Sequence, residues 1–323
     1  MTEFISVLAP RMQDYIRYMQ ASDHWNESSY ELNLKLFDRY CHKNHPCAEE
    51  LTQEMVNGWC RQRAHEENNS CRSRTHVVVS FIKFLRARDL TEVEGPELPR
   101  IEKRTYIPHA FTQGELKNFF DECDSIPLRG TSKEVLRRKL AVPVFFRLLY
   151  SSGIRTTEAR LLQKADVDLE QGILDIRYSK GRNQHYIVLH DSMLKLMRDY
   201  DGSISKVCPE RTYFFPSKND SHYTRGWVTA NFRLLWDKVN TSHATAYELR
   251  HHYAVLNINR WVDTGFDFDD KLLYLSKSMG HTTIESTKYY YSIVPGLSQI
   301  LISQTEEGFN WIVPEVPDNE EIY

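Results

Sequence analysis

Two stretches near the C-terminal end of this 323-residue chain hold residue types that handle phosphate. One reads Ala246-Tyr-Glu-Leu-Arg250-His-His, the other Met279-Gly-His281-Thr-Thr-Ile-Glu-Ser-Thr-Lys-Tyr-Tyr290-Tyr. A guanidinium donates two parallel hydrogen bonds to phosphate oxygens and stays charged. A histidine hydrogen-bonds the same group, and a tyrosine hydroxyl can attack it. Tyr289, Tyr290 and Tyr291 are consecutive, so aromatic character does not choose among them. Two more pieces lie upstream, Ser152-Gly-Ile-Arg155-Thr-Thr-Glu158 and Ser179-Lys180-Gly-Arg182-Asn. Arg155 follows a glycine at the expected start of a helix, where backbone N–H groups favour anions. Transfer at a phosphodiester needs a nucleophile, neutralisation of charge as the bonds change, and a proton for the departing oxygen.

The elements that must carry these residues are mostly helical. Phe4 to Met19 has apolar residues at helical spacing, and Ser28-Ser29 could cap a segment holding Tyr30, Leu34, Phe37 and Tyr40. Glu50 to Gln62 and Ser73 to Arg88 are the third and fourth helical candidates. Residues 92–109 hold three prolines, a glycine and alternating charge with no period, which reads as an interdomain linker. Thr112-Gln-Gly-Glu115 is a capping box for the helix of Leu116, Phe119 and Phe120, and an apolar helix follows from Val135 to Tyr150. Between Asp166 and His190 the period changes: residues 173–178 and 185–189 read as strands of a β-hairpin with Lys180 at its tip. The expected domains are 1–91, a linker at 92–109, 110–303, and an acidic and apolar tail at 304–323.

Bulk composition excludes little. With 41% apolar and 26% charged residues the chain reads as an ordinary soluble protein, and no apolar run of membrane-spanning length occurs. The first residues lack a signal-peptide pattern, so a cytoplasmic chain with reduced thiols is expected. Cys41, His42, His45 and Cys47 crowd together, but helical packing and a polar loop account for them, and no metal is expected. The net charge of −3 looks wrong for a nucleic-acid binder. Residues 304–323 carry six acids and no Lys or Arg, however, so the rest of the chain carries +3. Basic clusters stand out at Arg61, Arg63, Arg72, Arg74, Lys83, Arg86 and Arg88, and at Arg129, Lys133, Arg137, Arg138 and Lys139. A phosphate-binding face needs local positive charge rather than a basic total.

The four motifs, in this order, resemble the catalytic domain of the tyrosine recombinases, also called the phage integrase family. The resemblance implies a mainly α fold with a small β-sheet: a helical N-terminal core-binding (SAM-like) domain that grips DNA, followed by a mixed α/β catalytic domain. It implies that Arg155, Arg250 and His281 hold the phosphate and that Glu158 braces the arginine. Lys180 protonates the departing 5′ oxygen, with Arg182 as the nearby alternative, and Arg72, Arg74 and Lys83 contact DNA. The family places its tyrosine ten residues after the glycine of Gly-His, which selects Tyr290. Where the family most often has histidine, three residues before Arg250, this chain has Tyr247, which can donate to phosphate but is a poor base. His251 and His252 face other directions and do not inherit that role.

The implied function is site-specific recombination or integration through a 3′-phosphotyrosine, without metal, ATP or other cofactor. Implied partners are double-stranded recombination sites, three further copies forming a homo-tetramer with the C-terminal segment docking in trans, and DNA-bending or directionality proteins. The implied place is the bacterial nucleoid. A type IB topoisomerase and an accessory DNA-binding protein that has lost catalysis are the rival readings.

Overall fold

The computed structural model describes residues 4–21, 30–102, 108–128, 130–177, 184–261, 268–281, 283 and 285–288. The chain divides into two compact units, Met1–Tyr106 and Ile107–Tyr323. Among the described residues no helix is long and apolar enough to cross a membrane.

The first unit holds α1 (Ala9–Ala21), α2 (Leu32–Asn44), α3 (Gln53–Cys60) and α4 (Asn68–Arg86). Met12, Tyr15, Phe37, Val56, Val78 and Phe81 fill the space between them. The periodic stretch at the start of the chain becomes helical only at Ala9. Asp38 of α2 accepts the backbone N–H groups of Ile5 (2.8 Å) and Ser6 (3.0 Å), holding residues 5–6 outside the helix. Pro10 suits a first turn because it brings no N–H needing a partner. Ser28-Ser29, read as a cap, lies outside the described residues. The helix expected from Ser73 begins five residues earlier, at Asn68. Asn68, Asn69 and Arg72 on its first turn hold the carbonyls of Arg100, Glu102 and Pro99, and Gln53 exchanges two hydrogen bonds with Glu94. Residues 94–102, within the stretch read as linker, therefore lie along α3 and α4.

The second unit runs α5 (Gln113–Asp124), α6 (Lys133–Ser152), α7 (Thr156–Leu161), a small sheet, α8 (Asp191–Ser205), α9 (Arg225–Val239), α10 (Glu248–Trp261), α11 (Phe268–Ser278) and α12 (Glu285–Lys288). The capping box at α5 forms in both directions: Thr112 Oγ1 accepts from Glu115 N–H, and Glu115 accepts from Thr112 N–H. Burial opposes ionisation of Glu115, but hydrogen bonds from Ser242, the Thr112 backbone and His109 prevail and lower its pKa to about 2. Phe119, Phe145, Phe146, Phe214, Phe215, Phe232 and Trp236 are the heart of the core.

The sheet is antiparallel in the order β1 (Val167–Asp168), β2 (Ile173–Ile176), β3 (His185–Val188). Leu174 stands opposite Ile187, both buried, while Tyr186 and Val188 face outward as the period-2 alternation requires. The chain is therefore mainly α with a small sheet, as the periodicity predicts. The hairpin tip, 178–183, lies outside the described residues.

Candidate active site

Arg155, Arg250 and His281 come together although up to 126 residues separate them. Arg155 and His281 each follow a turn that ends a helix, while Arg250 lies in the first turn of α10. α6 stops at Gly153, whose φ of +65° is the left-handed conformation that closes helices, and Arg155 then serves as N-cap of α7. α11 is followed by Gly280, with φ +63°, and His281 comes next. Aromatic rings lie where a Cβ would project from these two glycines: Tyr253 over Gly153 and His185, the first residue of β3, over Gly280.

The two arginines bind these turns. Arg250, 1% exposed, donates to Gly153 O at 2.5 Å, to Met279 O at 2.6 Å and to His281 Nε2 at 3.1 Å. Arg155 donates to Gly280 O at 2.8 Å and to Glu158 Oε1 at 2.5 Å. Glu158 Oε2 also accepts the Arg155 backbone N–H at 2.9 Å, so one buried carboxylate caps α7 and fixes the guanidinium. An Ala at position 280 would adopt positive φ with its Cβ 2.5 Å from His185 Cε1. Gly280→Ala is expected to cost about 2–4 kcal/mol of stability. Measured by chemical denaturation, a loss below about 0.5 kcal/mol would show that the turn relaxes freely.

Guanidinium groups only donate, so His281 Nε2 accepts from Arg250, the proton sits on Nδ1, and Nδ1–H donates to Thr287 Oγ1 at 2.7 Å. Burial first, then the charges of Arg250 and Arg155, lower the His281 pKa to about 4. Thr287, fully buried on α12, ties the Gly-His turn to the short helix just ahead of the three tyrosines. Sequence reading missed Thr287, because a lone threonine six residues after a histidine carries no signal without the fold.

His251 is buried, its ring edge-on to Tyr247 at 5.0 Å, with its pKa also lowered to about 4, by burial first. His252 stacks on Tyr150 at 5.6 Å. Two neutral histidines, 251 and 281, make the fold acid-sensitive. Their folded pKa values lie below the usual 6.5, so stability is full above pH 6.5 and falls as pH drops towards 4. A loss on the order of 2–4 kcal/mol across that window is expected from the pair. Replacing both with Gln and repeating the denaturation series should flatten the profile between pH 6.5 and 4; an unchanged slope would assign the acid lability elsewhere.

Tyr247 is 44% exposed, and no described side-chain hydrogen bond joins it to Arg155, Arg250 or His281. Lys180, Arg182 and Tyr290 lie outside the described residues. In the first unit Lys83 is exposed and Arg72 is partly buried against Pro99 O. Arg74, read from the sequence as a DNA contact, is instead 5% exposed and fully engaged. It holds both Glu66 oxygens, at 2.8 and 2.6 Å, along with the carbonyls of Trp59 and Arg61. Hydrogen bonding from Arg74 lowers the Glu66 pKa to about 2, and the pair latches the α3–α4 connection. Its place in a basic cluster gave no hint of this, since burial is invisible in one dimension. Among the described residues no group of His, Cys, Asp and Glu is placed to hold a metal ion.

The profile of the phage integrase family matches residues 109–295, more than half of the chain. The putative integrase/recombinase y4rB of Sinorhizobium fredii is 24% identical over 266 residues, covering 79% of this chain and 84% of that protein. The tyrosine recombinase XerC of Bacillus pumilus is 25% identical over 300 residues, covering 88% and 84%. Among solved structures, a lambda integrase dimer bound to a COC′ core site superposes with a TM-score of 0.56 at 15% identity, covering 88% of this chain and 76% of that one. The XerH recombinase in its post-cleavage complex on difH gives 0.55 at 16%, covering 88% and 80%. Two arginines and a histidine locked around two glycine turns, in a chain matched by this profile from His109 onward, lead to one assignment: the chain belongs to the phage integrase family of tyrosine recombinases.

Proposed function

We propose that the chain is a site-specific DNA recombinase that cuts and rejoins strands through a 3′-phosphotyrosine. The observation that carries this reading is the mutual fastening of Arg155, Arg250 and His281 through the carbonyls of Gly153, Met279 and Gly280. Two fixed guanidinium groups beside an imidazole form a preorganised seat for a phosphodiester whose charge grows as the nucleophile attacks.

The Tyr290 oxygen attacks phosphorus as its phenol proton passes to solvent water, the bond to the 5′ oxygen breaks, and Lys180, or Arg182 as the alternative, supplies that oxygen's proton. Glu158 keeps Arg155 in place. A 5′ hydroxyl of the partner strand then attacks the phosphotyrosine, releasing Tyr290 and resealing the backbone. The covalent bond conserves the phosphodiester energy, so neither ATP nor a metal ion is required. His281 is neutral with Nε2 turned to Arg250. A phosphate held by both arginines offsets the charges that depress the His281 pKa, which favours a proton on Nε2 and donation to the phosphate.

Exchange between two duplexes needs four protomers. In this reading residues 293–303 dock on a neighbouring copy, residues 1–91 grip DNA with Arg72 and Lys83 among the contacts, and DNA-bending or directionality proteins set the outcome. A cytoplasmic, nucleoid-associated enzyme follows. Tyr247 in place of a base favours one alternative, a catalytically weak accessory DNA-binding protein of the same fold.

The test is incubation with nicked suicide duplexes made from DNA flanking the coding region, in chelator and without nucleotide. An SDS-resistant protein–DNA adduct is expected. A mobility shift with no adduct would select the accessory reading, and relaxation of a supercoiled plasmid lacking any such site would select a topoisomerase.

A further inference from the structure

We infer that the cleft where the start of α6 meets the end of α8 and the 216–220 turn binds a small organic phosphate. Arg137 and Lys218 hold the phosphate, and the larger of two adjoining chambers takes the rest of the molecule. The inference does not depend on the DNA-cleavage reading above.

Arg137 is the anchor. Among the described residues four arginines are buried, and strong acceptors hold three of them. Arg74 has Glu66, Arg211 has Asp201, and Arg250 has two carbonyls and His281. Arg137, 9% exposed, has no ion-pair partner among the described residues. Its one hydrogen bond to them runs from Nη1 to the Cys208 sulfur at 3.9 Å, and a thiol is a weak acceptor. Nε and Nη2 are left without an acceptor there. A buried charge without a counter-charge is costly, and a bound anion removes that cost.

The guanidinium lies between two chambers. The larger, about 480 Å³, is walled by Lys133, Val207, Cys208, Pro209 and Pro216. The smaller, about 300 Å³, is walled by Tyr223, Thr224, Trp227 and Asn231. Arg137, Ser217 and Lys218 line both, so the two cations mark the junction. In the smaller chamber the polar groups are already engaged: Asn231 accepts from Arg138 and donates to Trp227 O, and Thr224 caps α9. The larger is of a size that takes small organic ligands, and a bare phosphate ion leaves most of it open. Lys133 and Lys218 are exposed and unpaired among the described residues, while Glu210 and Asp220 are the carboxylates of that chamber. Asp220 is turned to Thr212, accepting its N–H at 2.9 Å and its hydroxyl at 2.6 Å. With Arg211 neutralised by Asp201, three cations stand against two carboxylates, which favours an anion.

The cleft is separate from the catalytic cluster. Arg137 and Ser152, at the far end of α6, are 15 residues apart, about 22 Å at 1.5 Å per residue. Arg155 lies beyond that far end.

The test titrates the full chain by calorimetry with adenosine monophosphate and ribose phosphate, against adenosine and inorganic phosphate. Both organic phosphates should bind, adenosine should not, and inorganic phosphate should bind about tenfold more weakly because it covers no apolar wall. Arg137→Gln should weaken the organic phosphates about 10- to 100-fold. Arg137→Lys keeps the charge without the planar fork and should fall between that variant and wild type. Lys218→Gln, at an exposed position that leaves folding intact, should weaken them about two- to fivefold. A wild-type chain that binds neither organic phosphate would overturn the site, and if Arg137→Gln then weakened a DNA duplex, the cations would belong to the DNA backbone. Equal affinity for inorganic phosphate would remove the organic body from the proposal. Binding that survives Arg137→Gln and Lys218→Gln but is lost in Arg155→Gln would move the ligand to the catalytic cluster and sink the cleft.

Discussion

Tyr290→Phe is expected to abolish the covalent adduct on suicide DNA, a fall of at least about 10⁴-fold, with DNA binding retained. The substitution removes one oxygen and leaves the ring, so packing is conserved while the nucleophile is gone. Tyr289→Phe and Tyr291→Phe should each form adduct within about threefold of wild type, because the proposed mechanism uses a single nucleophile. The assignment comes from the ten-residue spacing after Gly280, and the bond from His281 to Thr287 ties α12 to the Gly-His turn. Adduct in Tyr290→Phe that disappears in Tyr289→Phe would transfer the role one residue back.

Arg250→Gln should lower the cleavage rate about 10³-fold or more at saturating DNA. The side chain has two tasks, and both fail together. In the proposed mechanism it supplies charge to the phosphate, and in the structure it is the donor for Gly153 O, Met279 O and His281 Nε2, which hold the two turns in register. Leaving those buried acceptors without the guanidinium should also cost about 2–4 kcal/mol of stability. Rates must therefore be measured well below the melting transition and normalised to folded protein. Arg250→Lys keeps the charge but not the planar fork, and should recover stability only in part. Cleavage by Arg250→Gln within about tenfold of wild type would mean that Arg155 alone neutralises the phosphate.

Hydrophobic period and turn chemistry were readable residue by residue in several elements. The Thr112–Glu115 box, the end of α6 at Gly153 and the two strands around 173–176 and 185–188 each depend on neighbours a few positions away. Boundaries slipped where a distant group intervened: Asp38 captures the N–H groups of residues 5 and 6, and residues 99–102 fasten the first turn of α4. The candidate site divides the same way. Arg155, Arg250 and His281 stood out because their local frames are distinctive, whereas the positions of Thr287 and His185 carry no such frame.

By itself the sequence determined the family, the helical character with one hairpin, and the residue types able to seat a phosphate, because each depends on short-range spacing. Only the tertiary structure decided that Arg74 is a buried latch rather than a DNA contact. It alone decided that His281 is neutral with its proton on Nδ1. Burial, protonation and charge excess arise from groups brought together across more than a hundred residues, and no window along the chain contains them.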